Sequence, residues 1–180
     1  MAKSKTKKLP LSQGKFAIVD ADFEPPLNGK GRPSKYHLAV TKNGHMSARA
    51  CRFNARHYLH NDVWRFYDGD VPDGVTVDHI DRDALNNVRC NLRLATVAEQ
   101  SQNRRKPRKS NSWSKFKGVC FEVREGRWCA QIDCDGSRKF KRFSGDGKGE
   151  IAAARQYDEW ARELHGEFAV LNFPDGDSRK

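Results

Sequence analysis

The sequence has no long apolar run. Hydrophobic residues make up 37% of the 180, and the mean hydropathy is -0.88. No stretch reaches the roughly 18 consecutive apolar residues that cross a bilayer. The lysine-rich start is not followed by the apolar core of a secretory signal, so we expect none. These absences exclude a membrane-spanning helix and argue against a membrane partner.

A cysteine framework is also missing. The chain has five cysteines, an odd number, and no Cys-x-x-Cys pair. Neither a disulfide scaffold nor a zinc knuckle is therefore indicated, and we expect reduced thiols in an intracellular compartment. Cys129 and Cys134 form the one pair that could bridge across a turn.

Aromatic residues are plentiful enough for a modest core. The chain has 10 Phe, 4 Trp and 4 Tyr, which are costly to leave in water, so disorder throughout is excluded. Its length fits one domain of ordinary size or two small ones.

The positive charge is concentrated in one place. Of a net charge of +11, the ten residues 104–113 contribute five basic groups and no acid. We call residues 104–109 the basic strap; a solvated spacer and contact with nucleic-acid phosphate both explain it. The strap separates a first segment over 31–105 from a second segment over 114–174, with a linker over 106–113 between them. A basic, flexible segment is predicted over 1–30, in which residues 16–19 could add a strand, and a tail over 175–180.

The first segment has a strand, loop, strand and helix in succession. Residues 75–80 form a short strand rich in β-branched residues, with Asp-His at its end before Ile80. A polar loop covers 81–90, a short strand covers 91–94, and a helix is predicted from about 97 to 105. The pattern that carries the chemistry is Val77-Asp78-His79-Ile80-Asp81, Leu85-Asn86-Asn87, Asn91-Leu92-Arg93, Ala95-Thr96 and Glu99. It resembles the ββα-metal motif of HNH endonucleases, in the branch found in phage and intron homing endonucleases.

These residue types suit the hydrolysis of a phosphodiester bond. A neutral histidine can take a proton from water near neutral pH, and a carboxylate offers the hard oxygen that Mg²⁺ or Mn²⁺ prefers. Neighbours on a regular strand point to opposite faces, so Asp78 and His79 need different roles. The resemblance implies that Asp78 binds the metal, one ion per active site, and that His79 is the general base.

The resemblance also assigns supporting residues and exposes two departures. It implies that Asn91 holds the loop and orients His79, and that a second metal ligand follows nine residues later. That position is Gln100, where the family usually has Asn or His; Asn103, three residues on, could substitute. Arg82 stands where the family usually has Gly. Asp81 and Asp83 are interpreted as loop formers.

The second segment predicts a three-stranded sheet packed on one helix. Strand patterns cover 116–123, 127–133 and 138–143, and a helix is predicted over about 150–165. The middle strand alternates Trp128, Ala130 and Ile132 with polar neighbours, so a helix is expected on the first face and an open surface on the other. Residues 114–145 carry eight basic and four acidic groups, so the open face should meet a polyanion.

A second resemblance covers about sixty residues. Its motifs are Phe116-Lys117-Gly118-Val119, Gly126-Arg127-Trp128, Ala130-Gln131-Ile132, Ala152 to Asp158 and Leu171-Asn172-Phe173-Pro174. They resemble the Apetala-two, or ethylene-response-factor, DNA-binding domain. The resemblance implies that six residues lie on or beside the DNA-facing surface: Lys117, Arg127, Gln131, Asp133, Lys139 and Lys141. Cys120, Asp133 and Lys139 differ from the plant members, so the plant target sequence is not transferred.

Together these patterns predict an α+β protein, a ββα-metal nuclease unit followed by a three-stranded antiparallel sheet on one helix. The predicted function is sequence-guided cleavage of double-stranded DNA, as in free-standing homing endonucleases of phage and bacteria. The predicted location is the cytoplasm of a bacterial host, on the nucleoid when the protein is bound to DNA. A monomer and a homodimer both remain open. The alternatives are a DNA-binding regulator with a degenerate nuclease unit and an RNA-binding accessory protein. The predicted strap contacts are Arg104, Arg105, Lys106, Arg108 and Lys109.

Overall fold

The computed structural model describes residues 5–42, 44–104, 113–134 and 136–174. The chain separates into two compact units, with the boundary between Ala98 and Glu99. We call them the N-terminal and the C-terminal unit. The predicted boundary lay at residue 105, seven residues further along. The basic residues Arg105, Lys106, Arg108 and Lys109 of the strap lie outside the described residues, as do most of the linker and the tail.

The N-terminal unit contains three small sheets around one core. Its elements are β1 (Thr6–Pro10), β2 (Phe16–Asp20), β3 (His37–Val40), β4 (Met46–Arg52), β5 (Ala55–Tyr58), α1 (Leu59–Asp68), β6 (Val75–His79) and β7 (Leu92–Thr96), followed by α2 (Val97–Gln102), which crosses the boundary between the units. The pairs β1–β2 and β6–β7 and the sheet β3–β4–β5 are antiparallel. The core includes Phe23, Leu59, Val63, Val77 and Leu92.

Residues 5–30 differ from the flexible segment that the sequence predicts. They contain the hairpin β1–β2, in which Ala17 and Val19 are fully buried in the core of the unit. Alternate residues of a strand share one face, so Ala17 and Val19 pack inward while Phe16 and Ile18 stay partly exposed. The high charge of the preceding residues concealed this packing.

A buried ionic cluster joins the sheet β3–β4–β5 to α1. An Arg52 guanidinium nitrogen lies 2.6 Å from Asp62 Oδ1, and Tyr36 donates its hydroxyl hydrogen to Asp62 Oδ2 at 2.6 Å. Burial, and then the hydrogen bond to Asp62, raise the Tyr36 pKa well above its ordinary value. Because each charge has a close partner, this part of the core tolerates two ionised side chains.

The C-terminal unit is a three-stranded antiparallel sheet with one long helix. Its elements are β8 (Val119–Glu122), β9 (Arg127–Cys134), β10 (Ser137–Phe143) and α3 (Gly147–His165), with β9 in the centre. Trp128, Ala130 and Ile132 of β9 pack with Ala154, Tyr157 and other small or aromatic residues of α3. The predicted α+β architecture and the helix-covered face of the middle strand are confirmed.

The C-terminal motif residues fasten the chain after α3 to the sheet. Asn172 Oδ1 accepts from the Lys117 backbone N–H at 2.7 Å, and its Nδ2 donates to the Lys117 carbonyl at 3.1 Å. The buried Asp158 carboxylate accepts from the backbone N–H groups of Asn172 and Phe173, both at 2.8 Å. These two motif positions therefore have structural contacts within the unit.

Two further expectations are corrected. Helix α2 ends at Gln102 rather than near 105, since Arg104 N–H donates to the Ser101 carbonyl, three residues back, and closes the last turn. Cys129 and Cys134 lie five apart on one strand and so face opposite sides, whereas Cys129 is register-paired with Cys120 of β8. Among the described residues, no helix is long and apolar enough to cross a membrane.

Candidate active site and nucleic-acid interface

The candidate catalytic pair lies at the end of β6. In the register of β6 and β7, Asp78 is opposite Arg93 and His79 is opposite Leu92. His79 shares the inward face with Val77 and is only 8% exposed. The alternation of a strand therefore turns the Asp78 side chain to the other face, as the sequence predicts.

Asp78 has a cationic neighbour that the sequence analysis did not single out. Asp78 Oδ2 lies 3.7 Å from a guanidinium nitrogen of Arg93, and their side chains are 14% and 10% exposed. A poorly solvated carboxylate needs a compensating charge, and Arg93 provides one. In the sequence, the one sign that Arg93 belongs to the site is its position directly after Asn91-Leu92, within the quoted motif.

Asn91 ties down the loop between the two strands. Its Nδ2 donates to Asp81 Oδ1 and to the Asn86 carbonyl, each at 2.8 Å, and its Oδ1 accepts from the Asp81 backbone N–H at 3.1 Å. Burial would raise the Asp81 pKa, but hydrogen bonds from the Asp83 backbone, Asn86 and Asn91 outweigh it, and the pKa lies below its ordinary value.

The loop has a strained residue where the resemblance expects glycine. Arg82 has a φ of 68°, in the left-handed region that costs an ordinary L-residue about 1–2 kcal/mol. Asp81 and Asp83 accept backbone hydrogen bonds two residues ahead, at 2.8 and 3.0 Å. Both aspartates are loop formers, as interpreted from the sequence.

Asn87 approaches the His79 ring, a contact the sequence analysis missed. Its Oδ1 lies 3.2 Å from His79 Nε2, and the asparagine is fully buried. The resemblance assigned the orienting role to Asn91, whereas this contact belongs to Asn87. The motif contains adjacent asparagines at 86 and 87, and nothing in the sequence says which faces the histidine.

His60 and Tyr58 extend the aromatic surroundings of His79. The His60 and His79 rings are 5.1 Å apart edge to face, and His60 stacks on Tyr58 at 5.4 Å. Burial, with a smaller effect of His79, lowers the pKa of His60 to about 3. Burial also lowers the His79 pKa, against the hydrogen bond to Asn87 and the nearby carboxylates of Asp78, Asp81 and Asp83. Both imidazoles are therefore neutral at neutral pH.

The remaining predicted metal ligands belong to the C-terminal unit. Gln100 is half-buried on α2, and Asn103 is buried just after it. The described residues contain no group of three or more His, Cys, Asp or Glu side chains that could hold a metal ion. Asp78 therefore stays the predicted carboxylate donor for a hard cation, and Gln100 and Asn103 stay the predicted amide donors.

The open face of the second sheet differs from the predicted one at β10. Residues paired across antiparallel strands share a face. Lys139 pairs with Ile132 and Lys141 with Ala130, so both lysines lie on the α3 side, where they contact Glu163 at 2.9 Å and Gln156 at 2.8 Å. The two lysines therefore lie on the α3 side and not on the open face, and their contact with DNA stays a prediction. The open face of β10 instead carries Arg138, Phe140 and Arg142.

Ion pairs cross the open face. Arg142 binds Glu122 at 2.6 Å over the central strand, and Arg138 binds Asp133 at 2.6 Å. The first pair covers Cys129, which is fully buried; burial, and then a hydrogen bond with Glu122, raise its pKa to about 12. Arg127 is exposed and Gln131 is half-buried on this face.

Two other predicted DNA-contacting residues lie elsewhere in the C-terminal unit. The Lys117 ammonium donates to the carbonyls of Gln102 and Arg104, at 2.5 and 2.7 Å. Arg104, the one described residue of the basic strap, is exposed. Lys117 thus holds the end of the segment from which the strap continues.

Comparison with known proteins identifies the family. Residues 57–102 match the family described as HNH endonuclease. The chain is 33% identical over 162 residues to an uncharacterized HNH endonuclease of Acanthamoeba polyphaga mimivirus, covering 89% of this chain and 76% of that protein. It is 34% identical over 110 residues to Protein 3.8 of Escherichia phage T7, covering 61% of this chain and 86% of that protein. No solved structure is significantly similar. With this identity over most of both proteins, the chain belongs to the HNH endonuclease family, nucleases whose domain implies DNA as the substrate.

Proposed function

We propose that this protein hydrolyses phosphodiester bonds of double-stranded DNA, with His79 as the general base. The observation that carries the proposal is the arrangement at the end of β6. There a neutral, hydrogen-bonded imidazole directly follows a carboxylate, and a braced loop leads back into β7. A histidine that stays neutral at neutral pH can accept the proton of an attacking water.

The residues fit a divalent cation that is held by few protein ligands. Mg²⁺ typically binds one or two carboxylates and fills its other positions with water and phosphate oxygens. Asp78 supplies such a carboxylate, and Gln100 or Asn103 is the proposed amide ligand; Mn²⁺ suits the same oxygens. When bound, the ion would stabilise negative charge on the phosphate and the leaving oxygen. The Arg93 guanidinium, 3.7 Å from Asp78 Oδ2, offsets the negative charge of this carboxylate.

We further propose that the C-terminal unit places the nuclease on its target as an Apetala-two-type domain. The open sheet face offers Arg127, Gln131, Arg138 and Arg142 around the half-exposed Phe140. Arginine forks can read base edges or hold phosphates, and an aromatic ring adds apolar contact. The basic strap supplies further phosphate contacts through Arg104 and Arg105, Lys106, Arg108 and Lys109. Such a two-part protein would act as a free-standing homing endonuclease.

Cleavage of duplex DNA tests the nuclease. Purified protein is incubated with Mg²⁺ or Mn²⁺ and a library of the DNA that flanks its own gene, and the cut ends are mapped. We expect defined ends with the wild type. His79→Ala should reduce the rate by at least about 100-fold, since a positioned general base typically contributes that much. If neither protein cuts, or if both cut alike, the proposal is wrong.

The second candidate is a DNA-binding regulator whose nuclease unit is degenerate. Gln100 favours it, because glutamine carries its amide oxygen one methylene further out than the asparagine usual at this position. The decisive variant is Gln100→Asn. A rise in cleavage of about tenfold or more, the size expected for a lost metal ligand, supports the degenerate unit. An unchanged rate shows that Gln100 already serves, and a duplex-binding assay on both proteins controls for folding.

A further inference from the structure

Asn87 is held at three points between the catalytic loop and the N-terminal hairpin. Its backbone N–H donates to the Ile18 carbonyl of β2 at 2.8 Å, and its Nδ2 donates to the Ala84 carbonyl at 3.2 Å. Its Oδ1 lies 3.2 Å from His79 Nε2. The whole residue is 0% exposed, so the partners of its amide are protein groups rather than bulk water.

These contacts decide which way the amide points. A carbonyl oxygen only accepts hydrogen bonds, so the atom that faces Ala84 must be the donating NH₂ group. The atom that faces the imidazole is then the amide oxygen, which also only accepts. The imidazole nitrogen opposite it, Nε2, must therefore carry the hydrogen.

We propose that Asn87 is a positioning residue that holds His79 in the tautomer protonated at Nε2. A neutral imidazole has one N–H and one lone pair, so the lone pair is on Nδ1. Nδ1 is then the atom that would take the proton from water, a step that rests on the proposed function. The tautomer itself does not rest on it.

The N-terminal hairpin supports this arrangement from behind. Ile18 of β2 donates its N–H to the Leu85 carbonyl at 2.8 Å and accepts from Asn87 through its carbonyl, so one residue grips the loop on both sides. Supporting hydrogen bonds of this kind usually set histidine orientation in active sites. Residues 16–20, for which the sequence predicts no more than an added strand, thereby belong to the support of the proposed catalytic side chain.

The tautomer is measured directly by long-range ¹H–¹⁵N correlation spectroscopy on the full-length, ¹⁵N-labelled protein without metal at pH 8. The signals of His79 are assigned by their loss in His79→Gln. In the wild type we expect a protonated Nε2 and an unprotonated Nδ1. In Asn87→Leu, which fills the space but accepts nothing, both tautomers should appear. Asn87→Asp keeps an acceptor oxygen and should retain the Nε2–H form.

Val88→Ala is the matched control. Val88 is the next residue of the same loop and is 8% exposed, so its truncation loosens the loop without removing the acceptor. We expect lower stability and an unchanged tautomer. A wild-type His79 protonated at Nδ1 overturns the proposal even if Asn87→Leu fails to fold. A folded Asn87→Leu that keeps the pure Nε2–H form overturns it as well.

Cleavage kinetics separate this inference from the proposed function. Asn87→Leu should lower kcat about 10- to 100-fold, the usual effect of removing a supporting hydrogen bond, with little change in KM, and Asn87→Asp should restore most of it. An equal loss in Val88→Ala would show a merely structural role and overturn the inference. If the wild type shows the expected tautomer but cuts no DNA, the nuclease proposal fails while the role of Asn87 in setting the tautomer stands.

Discussion

At the scale of single residues, Gly118 packs directly against an aromatic ring of the C-terminal unit. Its φ is +68°, and a Cβ added to it would lie 1.9 Å from Cδ2 of the buried Tyr157 ring. Only a residue without a side chain lets the chain before β8 pass this close to α3. The glycine of the Lys117-Gly118-Val119 motif is therefore required by packing.

Gly118→Ala should lower the free energy of unfolding of the C-terminal unit by about 3 kcal/mol, because overpacking adds to left-handed strain. Urea unfolding followed by tryptophan fluorescence measures it. Gly126→Ala is the control, since Gly126 has a φ of +62° but nothing within 4 Å of the added Cβ; it should cost about 1 kcal/mol. Equal losses in the two variants would contradict the role of the Tyr157 contact.

The residues of the candidate site were predictable only in part. Asp78, His79 and Asn91 stand out because residue type and spacing together match a chemical requirement. The choice between Asn86 and Asn87 depends on how the loop folds back on β2, a contact between segments about seventy residues apart that local pattern does not encode. The pairing of Arg93 with Asp78 likewise depends on strand register, which a one-residue slip would change.

At the scale of elements, alternation decides which side chains of β10 lie on the open face, where we propose that DNA binds. Successive residues of a strand face opposite sides, and the register with β9 shows that Arg142 is on the open face and Lys141 on the α3 face. Sequence alone could not make this assignment, because basic residues occupy both faces of β10. On β9 the apolar side chains mark the inner face, and the prediction there is confirmed.

Arg142→Gln should weaken binding to duplex DNA and reduce the slope of log affinity against log salt concentration by about 1, as expected for a lost phosphate contact. Lys141→Gln removes the same charge one residue away and should leave both quantities unchanged. Fluorescence anisotropy with a labelled duplex, at several salt concentrations, measures them. Equal effects of the two substitutions would show that net charge, rather than the open face, governs binding.

At the scale of the whole molecule, the basic groups behind the net charge of +11 are not equally available to bind a polyanion. Several basic groups of the described residues away from the open face already hold a protein partner, among them Arg52, Arg89 and Lys139. The concentrated excess lies in the basic strap, where five basic residues have no acid among them. Counting charges along the sequence predicted the strap and the division into two parts. It did not predict the hairpin β1–β2, because a charged segment can still bury alternate residues.

The hydrogen bond from the Arg89 backbone to Asp20, at 2.7 Å, joins residues 69 positions apart. Closing a loop of that length costs about 4 kcal/mol in chain entropy, which only the contacts formed afterwards can offset. On a ribosome, β1 and β2 emerge long before the loop and β7 that they brace. The hairpin packs against that later segment, so we expect the candidate catalytic site of a nascent chain to assemble only after residue 96, the end of β7, has left the exit tunnel.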